Sequence, residues 1–356
     1  MKRTMLLMHR TSRIGLARWT AVAGLAWWGS TMAATLGGKL ELEDEGSFFV
    51  NGQSVHSEYL GASLVTGPSP PGNIVVNQMY VHFRIPAAKR GVPIVMVHGS
   101  QHTGMTYETT PDGREGWATW FVRQGHPVYV VDHSGRGRSS FNPTPVNAVR
   151  DGGADPKGLP TFFLGSIDRS WANFRFGPEY PKPFPNVQFP LEAIDQYLAQ
   201  LVPNTETTLK GGGANTVAAL VALLDRIGPA VIVVHSQSGV YGLDVVRKRA
   251  GFVKGLVSVE GGCETLSVDD ASKFFAKVPF VSVWGDNSVG AWGVNGDKRR
   301  EGCVQAVNRV KTAGGKGTFL LLPEAGIAGN SHMMMMDRNN LQVAEVIRKW
   351  IAENVR

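Results

Sequence analysis

The chain has 356 residues, 43% hydrophobic, 18% charged and 9% aromatic, which supplies a sizeable core and excludes a disordered or fibrous protein. Its formal net charge is +7, but Lys2, Arg3, Arg10, Arg13 and Arg18 carry most of that excess. Without those five, 31 basic residues remain against 29 acidic ones, too even a balance to pull on a phosphate backbone. Nucleic-acid binding is excluded.

The first 34 residues have the layout of an export signal. A basic start is followed by a short apolar stretch from Trp19 to Trp28, then by small residues through Ser30, Thr31, Ala33 and Ala34. That order suits cleavage near position 34. No twin-arginine pair is present, so the general secretion route is expected. No later stretch offers about 18 consecutive apolar residues, so no stable membrane anchor is expected. The mature protein, residues 35–356, is expected to be periplasmic or secreted.

Lys39 to Val55 suggests a strand and turn, with Asn51-Gly52 as a hairpin dipeptide. Asn73 to Ile85 is a second extended run. Pro93 to Val97 is short and wholly apolar, as for a strand buried on both faces. Arg114 to Gln124 follows as helix and Pro127 to Val131 as another buried strand. From Ser140 to about Gly213 the rhythm breaks into proline, phenylalanine and tryptophan, and this segment is expected to be a lid without a core pattern of its own. Alternation then resumes. A helix capped by Asn215 runs to about Ile227, followed by a strand at Ala230–Val234 and a helix at Gly239–Arg249. Strands are expected at Gly255–Val259, Pro279–Trp284 and Gly317–Leu322, with helices at Lys298–Thr312 and Asn340–Glu353. Such alternation predicts one α/β domain, a mostly parallel central sheet flanked by helices.

The strongest chemical signal is Val231 to Val240, in which a buried strand enters a turn of small residues and a helix follows at once. This is the setting of a nucleophile elbow, where a strained turn lifts a serine hydroxyl above the sheet. Close passage of the strand and helix demands small residues two before and two after the nucleophile. Ser236 fits better than Ser238, although Val234 stands where glycine is usual. A serine hydroxyl needs a base to take its proton. His332, in Gly329-Asn330-Ser331-His332, follows the last strand, and no other histidine occurs after position 235. The acid that orients the imidazole is either Asp286 or Glu260, each at a strand end; position alone favours Asp286. The oxyanion donors are expected to be a backbone N–H in the turn after Val97, at Ser100, and the N–H of Gln237.

Asp132-His133-Ser134-Gly135-Arg136-Gly137-Arg138-Ser139 suggests a tight turn and not a phosphate cradle, because no helix N-terminus or Lys-Ser/Thr follows. His98 and His102 are four apart, but Gly99 between them argues against a helical metal pair. Neither metal nor cofactor is expected. Cys263 and Cys303 are the two cysteines, and an oxidising compartment favours a bond between them.

The His-Gly turn, the Asp-x-x-Gly-x-Gly-x-Ser turn and the elbow together resemble an α/β-hydrolase. More narrowly, Thr103 to Arg114, Ser134 to Ser139, Gly329 to Met335 and Asp337 to Gln342 resemble the bacterial esterase 713 family. In that family the triad acid follows the strand after the nucleophile, which implies Glu260 in place of Asp286. Ser100 and Gln101 depart from the family pattern. The resemblance implies a serine esterase with a small-molecule ester as its partner; a lactonase or amidase with the same triad, or a silent binding module, are the alternatives. A dehalogenase or epoxide hydrolase would need a carboxylate at Ser236. The aromatic lid suggests a bulky apolar substrate group, although such residues more often simply pack. A homodimer is left open.

Overall fold

The computed structural model describes residues 36–206, 208, 212–288 and 296–356. The expected export signal, residues 1–34, therefore lies outside the described residues. Eight strands form the central sheet: β1 (Leu42–Val50), β2 (Met79–Pro86), β3 (Ile94–Val97), β4 (Val128–Val131), β5 (Ala230–His235), β6 (Val253–Val259), β7 (Phe280–Trp284) and β8 (Gly317–Leu321). Their spatial order is β1-β2-β4-β3-β5-β6-β7-β8. Only β2 runs against its neighbours; β3 to β8 are parallel.

The apolar runs explain this sheet. Along the central strands alternate side chains enter two separate cores, as the two-residue period of a strand requires. Val95, Val97, Ile232, Val234 and Leu256 face one core, while Ile94, Met96, Val231, Val233, Val257 and Val259 face the other. The helices are α1 (Trp117–Arg123), α2 (Thr144–Arg150), α3 (Ile167–Asn173), α4 (Ile194–Ala199), α5 (Ala214–Ile227), α6 (Ser238–Arg249), α7 (Asp297–Thr312) and α8 (Asn340–Asn354). Helices α5, α6 and α7 cover the first core, and α1 and α8 cover the second. In α5 the buried positions Thr216, Val217, Leu220, Leu223 and Leu224 recur at helical spacing, which gives the helix one apolar stripe.

Three expectations need correction. The Asn51-Gly52 turn does not join two paired strands. Gln53–Ser57 pairs instead with Gly72–Val76 in a separate small sheet, and β1 pairs with β2. Asn51 does take a left-handed conformation (φ 61°), so the dipeptide marked the turn but not the partner. Asn215 lies inside α5, whose N-cap is Gly213 without a side-chain bond. Finally, the segment from Ser140 to Gly213 has core residues of its own. Trp171, Phe174, Phe176, Phe189 and Tyr197 are buried and belong to the core beneath α1 and α8. Phe176 and Phe189 stack at 4.0 Å, and both meet Tyr197 edge-on. Full burial of such a ring is worth about 1.5–3 kcal/mol before ordering costs. These aromatics anchor the insertion.

The expected Cys263–Cys303 bond is present, joining the loop after β6 to α7 with Cα atoms 5.0 Å apart. Closing 40 residues of chain restricts the unfolded ensemble and stabilises the fold by about 2–4 kcal/mol. Reductant, and separately Cys303→Ser, should therefore lower the melting temperature of the exported protein. Non-reducing mass spectrometry that finds two alkylatable thiols would refute the bond.

Candidate active site

The predicted site residues lie at the carboxyl ends of the parallel strands, where an open α/β sheet presents its loops. Ser236 follows β5 at φ 52°, and Glu260 follows β6 at φ 46°. Gln101 (φ 64°), after β3, and Arg175 (φ 61°), in the insertion, share this left-handed conformation. Side chains other than glycine rarely accept that region, and such strain concentrates at functional sites.

Val234 is accommodated by a glycine on the facing helix. A Cβ on Gly242 of α6 would sit 3.1 and 3.2 Å from the two Val234 methyl groups and 2.8 Å from Leu256 Cδ1. The missing side chain has moved from the strand to the helix. Gly99 is required for a similar reason, since a Cβ there would lie 2.9 Å from Ser236 Cβ and 2.7 Å from His235 Nδ1. The turn carrying Ser100 is thus pressed against the elbow.

The two candidate serines differ sharply. Ser238 is fully buried, donates its hydroxyl to the His98 carbonyl, and lies 2.8 Å from His133 Nε2. Ser236 Oγ has no hydrogen bond among the described residues, and the residue keeps 7% exposure. Gln237 is the N-cap of α6, so its N–H lies outside the helical ladder.

His332 Nδ1 is 2.6 Å from Glu260 Oε2. The other Glu260 oxygen accepts the Gly285 N–H at 2.9 Å. His332 Nε2 is buried and has no hydrogen-bond partner among the described residues. Burial, then the His235 ring and the Arg175 guanidinium, hold the imidazole well below the ordinary histidine range, so it stands neutral at pH 7. Asp286 is placed elsewhere. Its oxygens accept the N–H groups of Gly329 (2.7 Å) and Asn330 (2.8 Å), and the side-chain amide of Asn186 (3.0 Å). It holds the loop that leads to His332, while Glu260 touches the ring.

His98 and His102 take different partners. His98 Nε2 accepts the His133 N–H, and its Nδ1 lies 2.9 Å from the Gly99 carbonyl oxygen. His102 pairs with the Ser100 carbonyl and with Tyr197 Oη in α4. The turn after β4 is pinned by Asp132, which accepts from Gly104 N, Arg138 N and Arg138 Nε.

Sequence reasoning missed two buried cations. Arg136 donates to the Gly99 and His102 carbonyls and to Gln237 Oε1, and pairs with Glu206 of the insertion. Arg175 pairs with Glu260. The one signal for Arg175 was a cation set among Trp171, Phe174 and Phe176.

No family model matches the chain. A probable secreted lipase, phiG, from Fungal sp. (strain ATCC 74256) is 30% identical over 310 residues, 73% of this chain and 81% of that protein. A solved structure described as that of a novel bacterial esterase is 40% identical and superposes with a TM-score of 0.84. It covers 90% of this chain and 98% of its own. The chain belongs to the bacterial esterase 713-like family of the α/β-hydrolase fold.

Two segments of the esterase 713-like resemblance meet in space. Arg114 forms a two-bond pair with Asp112 and donates to the carbonyls of Met336 and Asp337 and to Asn340 Oδ1. Met333 to Met336 are buried, and Asp337 accepts from Asn330 Nδ2, Ser331 N and Ser331 Oγ. Burial pushes the Asp337 carboxyl up to about 7. Its folded pKa therefore exceeds the unfolded value near 4, so the group favours the fold in its protonated form. That contribution is complete below about pH 4 and is lost as pH rises through about 7. Asp337→Asn, which cannot ionise, should flatten this part of the stability profile. Melting temperatures of both proteins from pH 4 to 8 test it, and identical slopes would refute it.

Proposed function

We propose that the protein is a secreted serine esterase that hydrolyses carboxylic esters through an acyl-enzyme on Ser236. The observation that carries this reading is the 2.6 Å contact of His332 Nδ1 with Glu260, which leaves Nε2 uncommitted. Nε2 takes the Ser236 proton as Oγ attacks the ester carbonyl carbon. The N–H groups of Ser100 and Gln237 receive the developing oxyanion. Collapse of the intermediate breaks the bond to the alcohol, which leaves with the proton from His332. Water then attacks the acyl carbon, again giving its proton to Nε2, and collapse of this second intermediate breaks the bond to Ser236 Oγ, which takes the proton back from His332 as the acid is released. Glu260 keeps the proton on Nδ1 and stabilises the imidazolium.

The secreted lipase relative and the Cys263–Cys303 bond support an extracytoplasmic location, and the basic, apolar start of the chain extends this reading to the periplasm. No helix of the described residues is long and apolar enough to cross a membrane. The test is labelling with a fluorophosphonate probe followed by peptide mapping, paired with a screen of short-chain, long-chain and aryl esters. Labelling on the Val231–Val240 peptide with ester turnover is expected; an unlabelled, inactive protein would overturn the reading.

A further inference from the structure

The insertion reaches the triad through adjacent residues. Phe174 lies parallel to the His332 ring (5.9 Å between centres, 6° between planes) and accepts its backbone N–H at 2.9 Å. Arg175, the next residue, is fully buried in a left-handed conformation and places Nη2 on Glu260 Oε2, the oxygen that also faces His332 Nδ1. None of its three guanidinium nitrogens has a hydrogen-bond partner among the described residues, so Nη2 meets Glu260 as an ion pair. Burying a guanidinium this way is costly, and the carboxylate paired with it here is Glu260.

On the esterase reading above, the geometry points to Arg175 as a positioning residue that clamps the catalytic acid. It locates Glu260 against the imidazole, and it offsets the carboxylate charge that would otherwise draw a proton onto His332. The resting base stays neutral, and the acid is held without overcharging it.

The surrounding charges agree. His332 is faced by Glu260 from β6, His235 from β5, Arg175 from the insertion, Arg299 from α7, and His102 after β3. Arg175 is faced in turn by Asp337, Asp286 and Asp297, with Arg300 opposing. Burial brings Arg175 down to about 9, so it remains cationic at neutral pH. Removing it leaves Glu260 as the nearest charge to the ring, and an unopposed carboxylate raises the pKa of an adjacent imidazole by about one unit or more.

The test is the pH dependence of fluorophosphonate labelling at Ser236, which needs no knowledge of the natural ester. Arg175→Met should move the acid limb upward by about one pH unit. Arg175→Lys, which keeps the charge, should leave the limb near that of the wild type. A merely structural arginine would slow labelling in both variants without moving the limb, and that result overturns the proposal. A second measurement reads the wild-type ring itself: ¹⁵N-histidine NMR titration, with the His332 signal assigned by its loss in His332→Ala. His332 is expected to titrate below the ordinary histidine value of about 6.5, and a value at or above it overturns the clamp. A wild type unlabelled at Ser236 would instead overturn the esterase reading, so the two failures are distinct.

Discussion

Ser236→Ala should lower ester turnover by roughly 10⁵- to 10⁶-fold, the scale of removing a serine nucleophile whose partners work as a unit. The substitution deletes one oxygen at a residue with 7% exposure and no hydrogen bond to Oγ among the described residues, so the melting temperature should hardly change. Ser238→Ala should behave in the opposite way. It removes the bond to the His98 carbonyl and the contact with His133 Nε2, leaving buried polar groups unpaired at a cost of about 1–3 kcal/mol. Fluorophosphonate labelling should survive in Ser238→Ala and vanish in Ser236→Ala. The reverse pattern would move the elbow's centre two residues along the chain.

What the sequence made legible follows from physical range. Runs such as Val231 to Val234 announce strands buried on both faces, because only such strands are apolar at consecutive positions. The elbow was legible for the same reason, since strand, small-residue turn and helix are contiguous. Contacts between distant segments were not. Asn51-Gly52 encodes a turn, but the partner of Gln53–Ser57 depends on Gly72–Val76, beyond the reach of a dipeptide rule. Val234 looked like a violation because its compensating Gly242 belongs to the next helix. Residues 140–213 looked coreless because their aromatics pack against α1 and α8, on either side of them in sequence. Arg175 lies 85 positions before Glu260, and no spacing pattern links the two. Glu260 and Asp286 each end a parallel strand beside the His332 loop, and position alone favoured Asp286. Only the family resemblance preferred Glu260.

Glu260→Gln is the sharper test of that choice, with an expected loss near 10⁴-fold in turnover, typical for neutralising a triad acid. The amide can turn an N–H toward His332 Nδ1, which forces the proton of the neutral ring onto Nε2. That nitrogen can then no longer take the Ser236 proton. Arg175 also loses its paired carboxylate, and an uncompensated buried cation destabilises a fold by about 3–5 kcal/mol. Turnover should therefore be read well below the variant's own melting temperature. Asp286→Asn should cost far less, about tenfold to a hundredfold, because Asp286 acts through the N–H groups of Gly329 and Asn330 and not on the ring. Its amide keeps one oxygen to accept one of those donors, so the His332 loop loosens without losing its base. Side-by-side kcat values decide the matter. A 10⁴-fold loss in Asp286→Asn with a small one in Glu260→Gln would return the acid to the end of β7, and the 2.6 Å contact at Glu260 would then be packing alone.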